Sequence, residues 1–348
     1  MEYLWKTAAI VKEAKDAVTI VFDSGQDIFT YWSGQFVNVG LRIDGEFVSR
    51  SYSLSSFPGD DRPAITVKKV KGGVMSTYIV DHAEEIKEWS IEGPHGLFYL
   101  SDEAKDFEHI VFIAGGSGIT PIYSMLKYAL THTAAIVTLI YTSKAWADKI
   151  FSAALLRIAQ LYPDRLQLHL TLSQADEEEA SATNCLPGRL TKQVLKNLLQ
   201  KTAENTAGLT HYYICGPNGL IALAQETLTS LVVGEAFIHK EYFTTEGLAK
   251  EQVALPDAMQ EVLLHFYEQS NLLEVAPGQT ILDAALTDKI ELPYSCKNGT
   301  CGKCTGKLLS GQVHMSQNFV LEESRVQEGY ILLCQSHPLT NDVTVEAF

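Results

Sequence analysis

Over the first hundred residues, apolar and polar positions alternate in short runs. Ala8–Lys12, Ala17–Phe22, Gln35–Leu41, Phe47–Ser55 and Ala64–Val70 are rich in Val, Ile, Phe and Tyr and are bounded by Gly, Pro and Asp, which is the signature of strands. Only Val74–His82 reads as helix. Strands at this spacing predict an antiparallel β-barrel. After Asp106 the period changes. Apolar segments His109–Ala114, Ala135–Thr142, Leu166–Leu172, Tyr212–Cys215 and Ala236–Phe243 alternate with helix-like stretches Ile119–Leu130, Ala147–Leu161, Leu190–Leu199 and Leu220–Val232. That alternation predicts an α/β domain with a doubly wound parallel sheet, whose ligands sit at the carboxyl ends of the strands. Thr244–Met259 is polar, holds Gly247 and Pro256, and reads as a linker. Beyond it, Glu261–Tyr267 and Leu272–Val275 read as a hairpin, Thr280–Leu286 as a short helix and Asp342–Glu346 as a last strand. The division expected is 1–104, 105–243, a linker 244–259, and 260–348.

Composition narrows the class. With 348 residues, 46% hydrophobic and 20% charged, the chain has the balance of an ordinary globular protein of two or three domains. A net charge of −15 argues against a nucleic-acid binder, which would present a basic face. The stretch Met1–Asp23 is interrupted by Lys6, Lys12, Glu13, Lys15 and Asp16 and lacks the apolar core of a signal peptide. Nothing approaches the roughly 18 uninterrupted apolar residues of a spanning helix, so no membrane partner is expected. Four of the six cysteines share one pattern, leaving Cys185 and Cys215 without a disulfide framework; this fits a reducing, cytoplasmic setting. The acidic run Asp176-Glu177-Glu178-Glu179 reads as a solvated loop. Residues 260–348 hold eleven Asp and Glu against five Lys and Arg, a charge balance that suits steering toward a basic partner or simple solubility.

That shared pattern is Cys296-x4-Cys301-x2-Cys304 with a distant Cys334, the plant-type spacing for four thiolates on a [2Fe–2S] cluster. Gly299 and Gly302 let the loop curl around inorganic sulfide. Structural zinc is the alternative, but it draws on paired C-x2-C elements or on Cys with His at short spacing, and only one C-x2-C is present here.

Five further stretches carry candidate chemistry: Arg50-Ser51-Tyr52-Ser53-Leu54, Gly72-Gly73-Val74-Met75-Ser76, Ala114-Gly115-Gly116-Ser117-Gly118-Ile119-Thr120-Pro121, Cys215-Gly216-Pro217 and His239-Lys240-Glu241-Tyr242-Phe243. Glycines ahead of a helix expose N–H groups that favour an anion, and G-x-G-x-x-P departs from the Rossmann G-x-G-x-x-G. Taken in order, with Gly93-Pro94-His95-Gly96-Leu97-Phe98 between them, these stretches resemble the ferredoxin–NADP reductase superfamily. The resemblance implies that Arg50 neutralises a flavin pyrophosphate, Tyr52 stacks on the flavin ring, and Ser53, followed by Leu54, lies near flavin N5. It implies that Gly72 to Ser76 holds flavin phosphates through Gly73 and Ser76. Gly116, Ser117, Gly118, Thr120 and Pro121 would receive the nicotinamide dinucleotide, and Cys215, with Gly216 and Pro217, would lie beside the nicotinamide ring. Glu241 would sit near the hydride-transfer site, and Phe243 would cover the flavin until nicotinamide displaces it. Ser53, Cys215, Glu241 and Phe243 are thus the catalytic candidates. For coenzyme choice, Ser143, Lys144, Ser173 and Arg189 favour the 2′-phosphate of NADPH, whereas Gln174 and its acidic neighbours leave NADH open. FAD is expected, with FMN as the alternative.

The order of flavin-binding β-barrel, nicotinamide-binding α/β domain and β-grasp ferredoxin resembles reductase components of multicomponent oxygenases, of the phenylacetyl-CoA epoxidase type. The implied activity is transfer of electrons from NADPH through flavin to the cluster and on to an electron-accepting protein, an oxygenase component. A reductase serving another metalloprotein, such as a hybrid-cluster protein or a separate ferredoxin, is the rival enzyme. A non-catalytic redox-sensing subunit is the rival from another class.

Overall fold

The long apolar-alternating N-terminus builds more strand than its core suggests, because both of its edges find partners. The computed structural model describes residues 2–203, 209–244 and 253–348. Strand β1 (Glu2–Ala14) pairs antiparallel with β2 (Ala17–Asp23) on one side and with β6 (Glu88–His95) on the other. With β3 (Phe36–Ile43), β4 (Glu46–Ser53) and β5 (Ala64–Lys68) the sheet runs β4-β3-β6-β1-β2-β5. A bridge between Leu54 and Ile65 joins its two ends, so the sheet closes into the expected barrel and leaves few free edges. Trp5, Phe22 and Trp89 fill it, with ring centroids 5.5 Å and 5.7 Å apart along the series. The indole nitrogens are satisfied at the rim, Trp5 donating to Asp27 and Trp89 to Thr7, as buried Trp requires. Helix α1 (Val74–His82) follows β5.

The second domain is the α/β layer structure that the alternating pattern implies. Strands β7 (His109–Gly115), β8 (Ile136–Ser143), β9 (Leu166–Leu172), β10 (Leu186–Pro187), β11 (Thr210–Cys215) and β12 (Ile238–Glu241) lie in the order β10-β9-β8-β7-β11-β12. Their pairings are parallel. Apolar clusters cover both faces, one including α2 (Ile119–His132) and α3 (Ser152–Leu161), the other α5 (Lys192–Ala203) and α6 (Asn218–Ser230). The chain reverses direction across the sheet between β7 and β11, the position at which open α/β sheets hold their ligands. Barrel and α/β domain form one unit, Met1–Pro94 with Phe98–Phe243; Ser124 of α2 donates to the Ser56 carbonyl and Lys127 pairs with Asp60.

Two expectations need correction. The helix expected over Ala147–Leu161 begins only at Ser152, because Trp146–Asp148 forms a 3-10 turn and Phe151 adopts a left-handed φ of 60°. The acidic run expected as a solvated loop forms α4 (Glu177–Ala182), capped by Asp176, whose side chain accepts from Glu179 N–H at 2.9 Å. Three carboxylates in its first turn suit the positive end of the helix dipole.

The second unit comprises Thr244–Phe348 with His95–Leu97. Its mixed sheet contains β13 (Gln260–Phe266), β14 (Gln269–Val275), β15 (Thr305–Ser310), β17 (Tyr330–Leu332) and β19 (Val343–Ala347) in the order β14-β13-β19-β15-β17. A small pair, β16 (Val313–Met315) with β18 (Ser336–Pro338), completes the strands. Helix α7 (Ile281–Thr287) is capped by Thr280, and α8 (Glu323–Gln327) precedes β17. Half of the linker expected at 244–259, residues 245–252, lies outside the described residues. Ile20 is fully buried among the barrel aromatics, so Ile20→Ala should destabilise the first unit by roughly 2–5 kcal/mol, read as a fall in its melting transition by calorimetry.

Candidate functional site

The barrel presents one polar edge. On β4, Arg50 opposes Val39, Tyr52 opposes Val37 and Ser53 opposes Phe36. Ser53 and Leu54 are buried, Tyr52 is half-buried against the barrel core, and Arg50 is exposed with one N–H donated to the Ser49 carbonyl at 2.7 Å. Twenty residues on, Gly72 has a φ of +76° and opens the turn into α1. Ser76 is buried and its Oγ accepts from Val70 N–H at 3.2 Å. A Cβ on Gly73 would stand 2.6 Å from that oxygen, so Gly73 and Ser76 need each other sterically. Gly73 caps α1 without a side chain, leaving the first-turn N–H groups to an outside acceptor. Val74 is exposed and Met75 buried.

At the switch between β7 and β11, two loops meet backbone to backbone. A Cβ on Gly118 would lie 2.2 Å from the Cys215 carbonyl oxygen and 2.6 Å from Gly216 N. One on Gly115 would lie 2.6 Å from Leu220 and 2.8 Å from Pro217. Gly116 takes a φ of +54°. Thr120 Oγ1 donates to the Ser117 carbonyl at 3.0 Å, and Pro121 occupies the third position of α2, where a missing N–H costs no helix bond. Residues 114–121 and 215–217 therefore lie against each other. Cys215 is opposite both Ala114 and Glu241 in the sheet, and its thiol donates toward Glu241 Oε2 at 3.8 Å. Loss of solvent raises the Glu241 carboxyl to about 8 and pushes the Cys215 thiol up as well. Phe243 is 42% exposed two residues beyond the end of β12.

The strand ends at β8 and β9 gather cations and hydroxyls. Pairing continues past β8 and β9: Ser173 N–H donates to the Ser143 carbonyl and Gln174 N–H to the Lys144 carbonyl, both at 2.9 Å. Gly188 N–H donates to the Leu172 carbonyl at 2.9 Å, which sets Arg189 at the adjoining strand end. Lys144 and Arg189 are exposed; Ser143 is buried. Helix α4 borders this end, with Glu179 accepting from Trp146 N–H at 3.2 Å.

In the second unit the cysteine loop curls through Lys297, Gly299 and Gly302, all at positive φ. Cys301, Cys304 and Cys334 are buried and Cys296 half-buried; none is in a disulfide. The thiols fall into two hydrogen-bonded pairs, Cys296 with Cys301 and Cys304 with Cys334. Backbone N–H groups point at the sulfurs, Cys296 N–H to Cys301 at 3.5 Å and Asn298 N–H to Cys296 at 3.4 Å. Among the described residues no three His, Cys, Asp or Glu side chains converge on a single ion. Four thiols in two pairs suit two irons taking two each better than one tetrahedral zinc.

Comparison with known proteins agrees with this geometry. Residues 8–99 match an oxidoreductase FAD-binding domain, 112–226 an oxidoreductase NAD-binding domain and 266–339 a 2Fe-2S iron-sulfur cluster binding domain. The chain is 33% identical to a component of 1,2-phenylacetyl-CoA epoxidase from Escherichia coli (strain K12), over 97% of this chain and 96% of that one. The chain belongs to the ferredoxin–NADP reductase superfamily, in the form with a C-terminal [2Fe–2S] ferredoxin domain. Within this superfamily it is also 30% identical to the ferredoxin reductase component of 3-ketosteroid-9-alpha-monooxygenase from Rhodococcus rhodochrous, over 97% of this chain and 95% of that one. Its fold follows that of phthalate dioxygenase reductase, with a TM-score of 0.58, 20% identity, and coverage of 99% of this chain and 98% of that one. The chain is thus an NAD(P)H-dependent oxidoreductase with FAD-binding, NAD-binding and [2Fe–2S] domains.

Two side chains that support this reductase's sites were not evident in the sequence. Tyr141, an apolar-looking strand position, donates its hydroxyl to the Gly116 carbonyl at 3.2 Å and accepts from Ile150 N–H at 3.2 Å. Gln335 Nε2 donates to the Lys297 carbonyl at 3.0 Å and lies 3.7 Å from Cys334 Sγ; its place directly after Cys334 was the available signal.

Gly118→Ala must push backbone against backbone, so we expect at least a tenfold loss of coenzyme affinity, about 1.4 kcal/mol, measured by titration with a dinucleotide. Because the folded pKa of Glu241 is raised, its contribution to stability is full below the ordinary carboxylate range, near 4.5, and is lost as pH rises through about 8. The melting temperature should therefore decline between pH 6 and pH 9, and Glu241→Gln should flatten that decline.

Proposed function

We propose that this reductase takes hydride from NADPH and passes single electrons through its cluster to an oxygenase component of the phenylacetyl-CoA epoxidase kind. The observation that carries the proposal is Cys215, its carbonyl against the Gly118 backbone and its thiol toward Glu241, in a chain that also holds four paired thiols. Near-full-length similarity to a component of that epoxidase supports the choice of acceptor. A reductase for another metalloprotein is the second reading, since similarity extends to the ketosteroid monooxygenase component.

Bound FAD supplies the conversion of a two-electron hydride into single electrons that an iron–sulfur cluster accepts. The side chains supply position. Arg50 offers its remaining donors to the flavin pyrophosphate, the first turn of α1 behind Gly72 and Gly73 receives the phosphates, and half-buried Tyr52 offers a ring face. Ser53, buried at the end of β4, would lie toward the flavin ring. Gly116 to Pro121 would receive the dinucleotide, with Cys215 and Glu241 beside it. Phe243 would cover the flavin until nicotinamide displaces it. Lys144, Ser173 and Arg189 receive the 2′-phosphate, with α4 as the opposing charge that limits the preference. Cys296, Cys301, Cys304 and Cys334 hold the cluster. The modules span 1–104, 105–243 and 260–348, and the free cysteines support a cytoplasmic setting.

Anaerobic spectra before and after one equivalent of NADPH, with NADH in parallel, test the path. Bleaching of both flavin and cluster bands is expected, faster with NADPH; cluster bands that stay oxidised would remove the cluster from the route. Cys301→Ser should abolish reduction of an added oxygenase component while NADPH still bleaches the flavin. Phe243→Ala should alter the coenzyme KM severalfold with flavin retained, and unchanged coenzyme kinetics would remove Phe243 from the site.

A further inference from the structure

Lys149 is the anomaly of the nicotinamide domain. It is 1% exposed, and its ammonium is enclosed without a hydrogen-bond partner. Its neighbours are ring faces: the nitrogen lies 4.7 Å from the centroid of Tyr141 and 5.9 Å from that of Trp146. An unpaired ammonium away from water is costly, and contact with two aromatic faces recovers only part of that cost. A charge held this way needs a counterpart, and the chain points to where it lies.

The enclosure results from the break that displaced α3. The 3-10 turn Trp146–Asp148 and the left-handed Phe151 hold Lys149 against β8, with Lys149 N–H bonded to the Trp146 carbonyl at 3.1 Å. Ile150 N–H, one residue on, donates to Tyr141 Oη, and Tyr141 in turn donates to the Gly116 carbonyl. Lys149 thus rests on the ring whose hydroxyl fixes the crevice turn. We infer that Lys149 is a positioning residue for the coenzyme pyrophosphate, its buried ammonium acting through Tyr141 to hold the Gly116–Gly118 turn ready for an anion and to complement that anion's charge from behind. This rests on the reading of Gly116 to Pro121 as the dinucleotide site.

Among the described residues no side chain hydrogen-bonds that ammonium. Cys185 is the one group whose charge favours it; of the neighbouring carboxylates, Glu179 accepts from Trp146 N–H and Glu13 from Thr19, while Asp148 lies near enough for its charge to bear on Tyr141. Burial lowers the Lys149 pKa to about 8, so about half the molecules lack the charge at pH 8. A seated pyrophosphate stabilises the charged form, and binding then draws a proton onto Lys149. Affinity should be level below about pH 7 and fall as pH rises through 8.

The test uses ADP-ribose, which carries the pyrophosphate but no nicotinamide to disturb Glu241 or Cys215, titrated calorimetrically into the full-length holoprotein. Measurements at pH 6.5 and pH 8 in two buffers of different ionisation enthalpy read proton uptake directly. The expected result is uptake approaching half a proton at pH 8 and little at pH 6.5. Lys149→Met should bind about tenfold more weakly with neither uptake nor the alkaline fall, while Tyr141→Phe should weaken binding and keep the uptake. Wild-type protein that binds ADP-ribose without uptake, or a Lys149→Met variant with unchanged affinity and pH profile, overturns the role of Lys149. Should that variant not fold, uptake by the wild-type protein alone decides. Failure of the wild-type protein to bind ADP-ribose at all overturns the dinucleotide reading of the loop and this inference with it.

Discussion

Everything in the nicotinamide domain depends on the distance at which Gly118 passes the Cys215 carbonyl. No side chain fits there. The contact follows from sheet order: β7 and β11 are neighbours whose following loops leave in opposite senses, so the two loops must turn against each other. Once they meet, Cys215 is fixed by its own backbone, Glu241 by its register with Cys215, and the turn at Gly116 by the hydroxyl of Tyr141. The low-dielectric environment that raises both ionisable groups is produced by the same packing.

The sequence was most readable where one local rule decided the outcome. Barrel strands alternated, parallel strands ran apolar between helix-like stretches, and cysteine spacing predicted a loop whose positive-φ glycines stand where expected. It was least readable where distant contacts overrode local preference. Ala147–Leu161 looks helical throughout, yet Tyr141 captures Ile150 N–H and the chain turns at Phe151 before the helix can start. The run at residues 176–179 looks like loop because its charges repel, but Asp176 caps the helix and the dipole favours the remaining carboxylates. Strand β1 extends well beyond its most apolar part because it pairs with β2 on one side and, on the other, with β6, which was not read as a strand from the sequence.

The candidate site shows the same division. Arg50, Ser53, Gly118 and Cys215 stood out through the family resemblance; of these, Gly118 is the one whose residue type the backbone itself demands. Ser76 was evident as well, but its hydroxyl accepts from Val70 N–H, so part of its role is to hold the turn that Gly73 makes possible. Tyr141, Lys149 and Gln335 went unseen because they act through other groups rather than on a ligand.

The two ends of the coenzyme site proposed above are built from different materials. At the Cys215 end, shape is set by main chain against main chain, braced by the Tyr141 hydroxyl. At the end formed by Lys144, Ser173, Arg189 and α4, Lys144 and Arg189 are exposed side chains carried by strand tips. On that reading, preference between dinucleotides would be a surface trait that single substitutions can change, laid over a seat made of backbone.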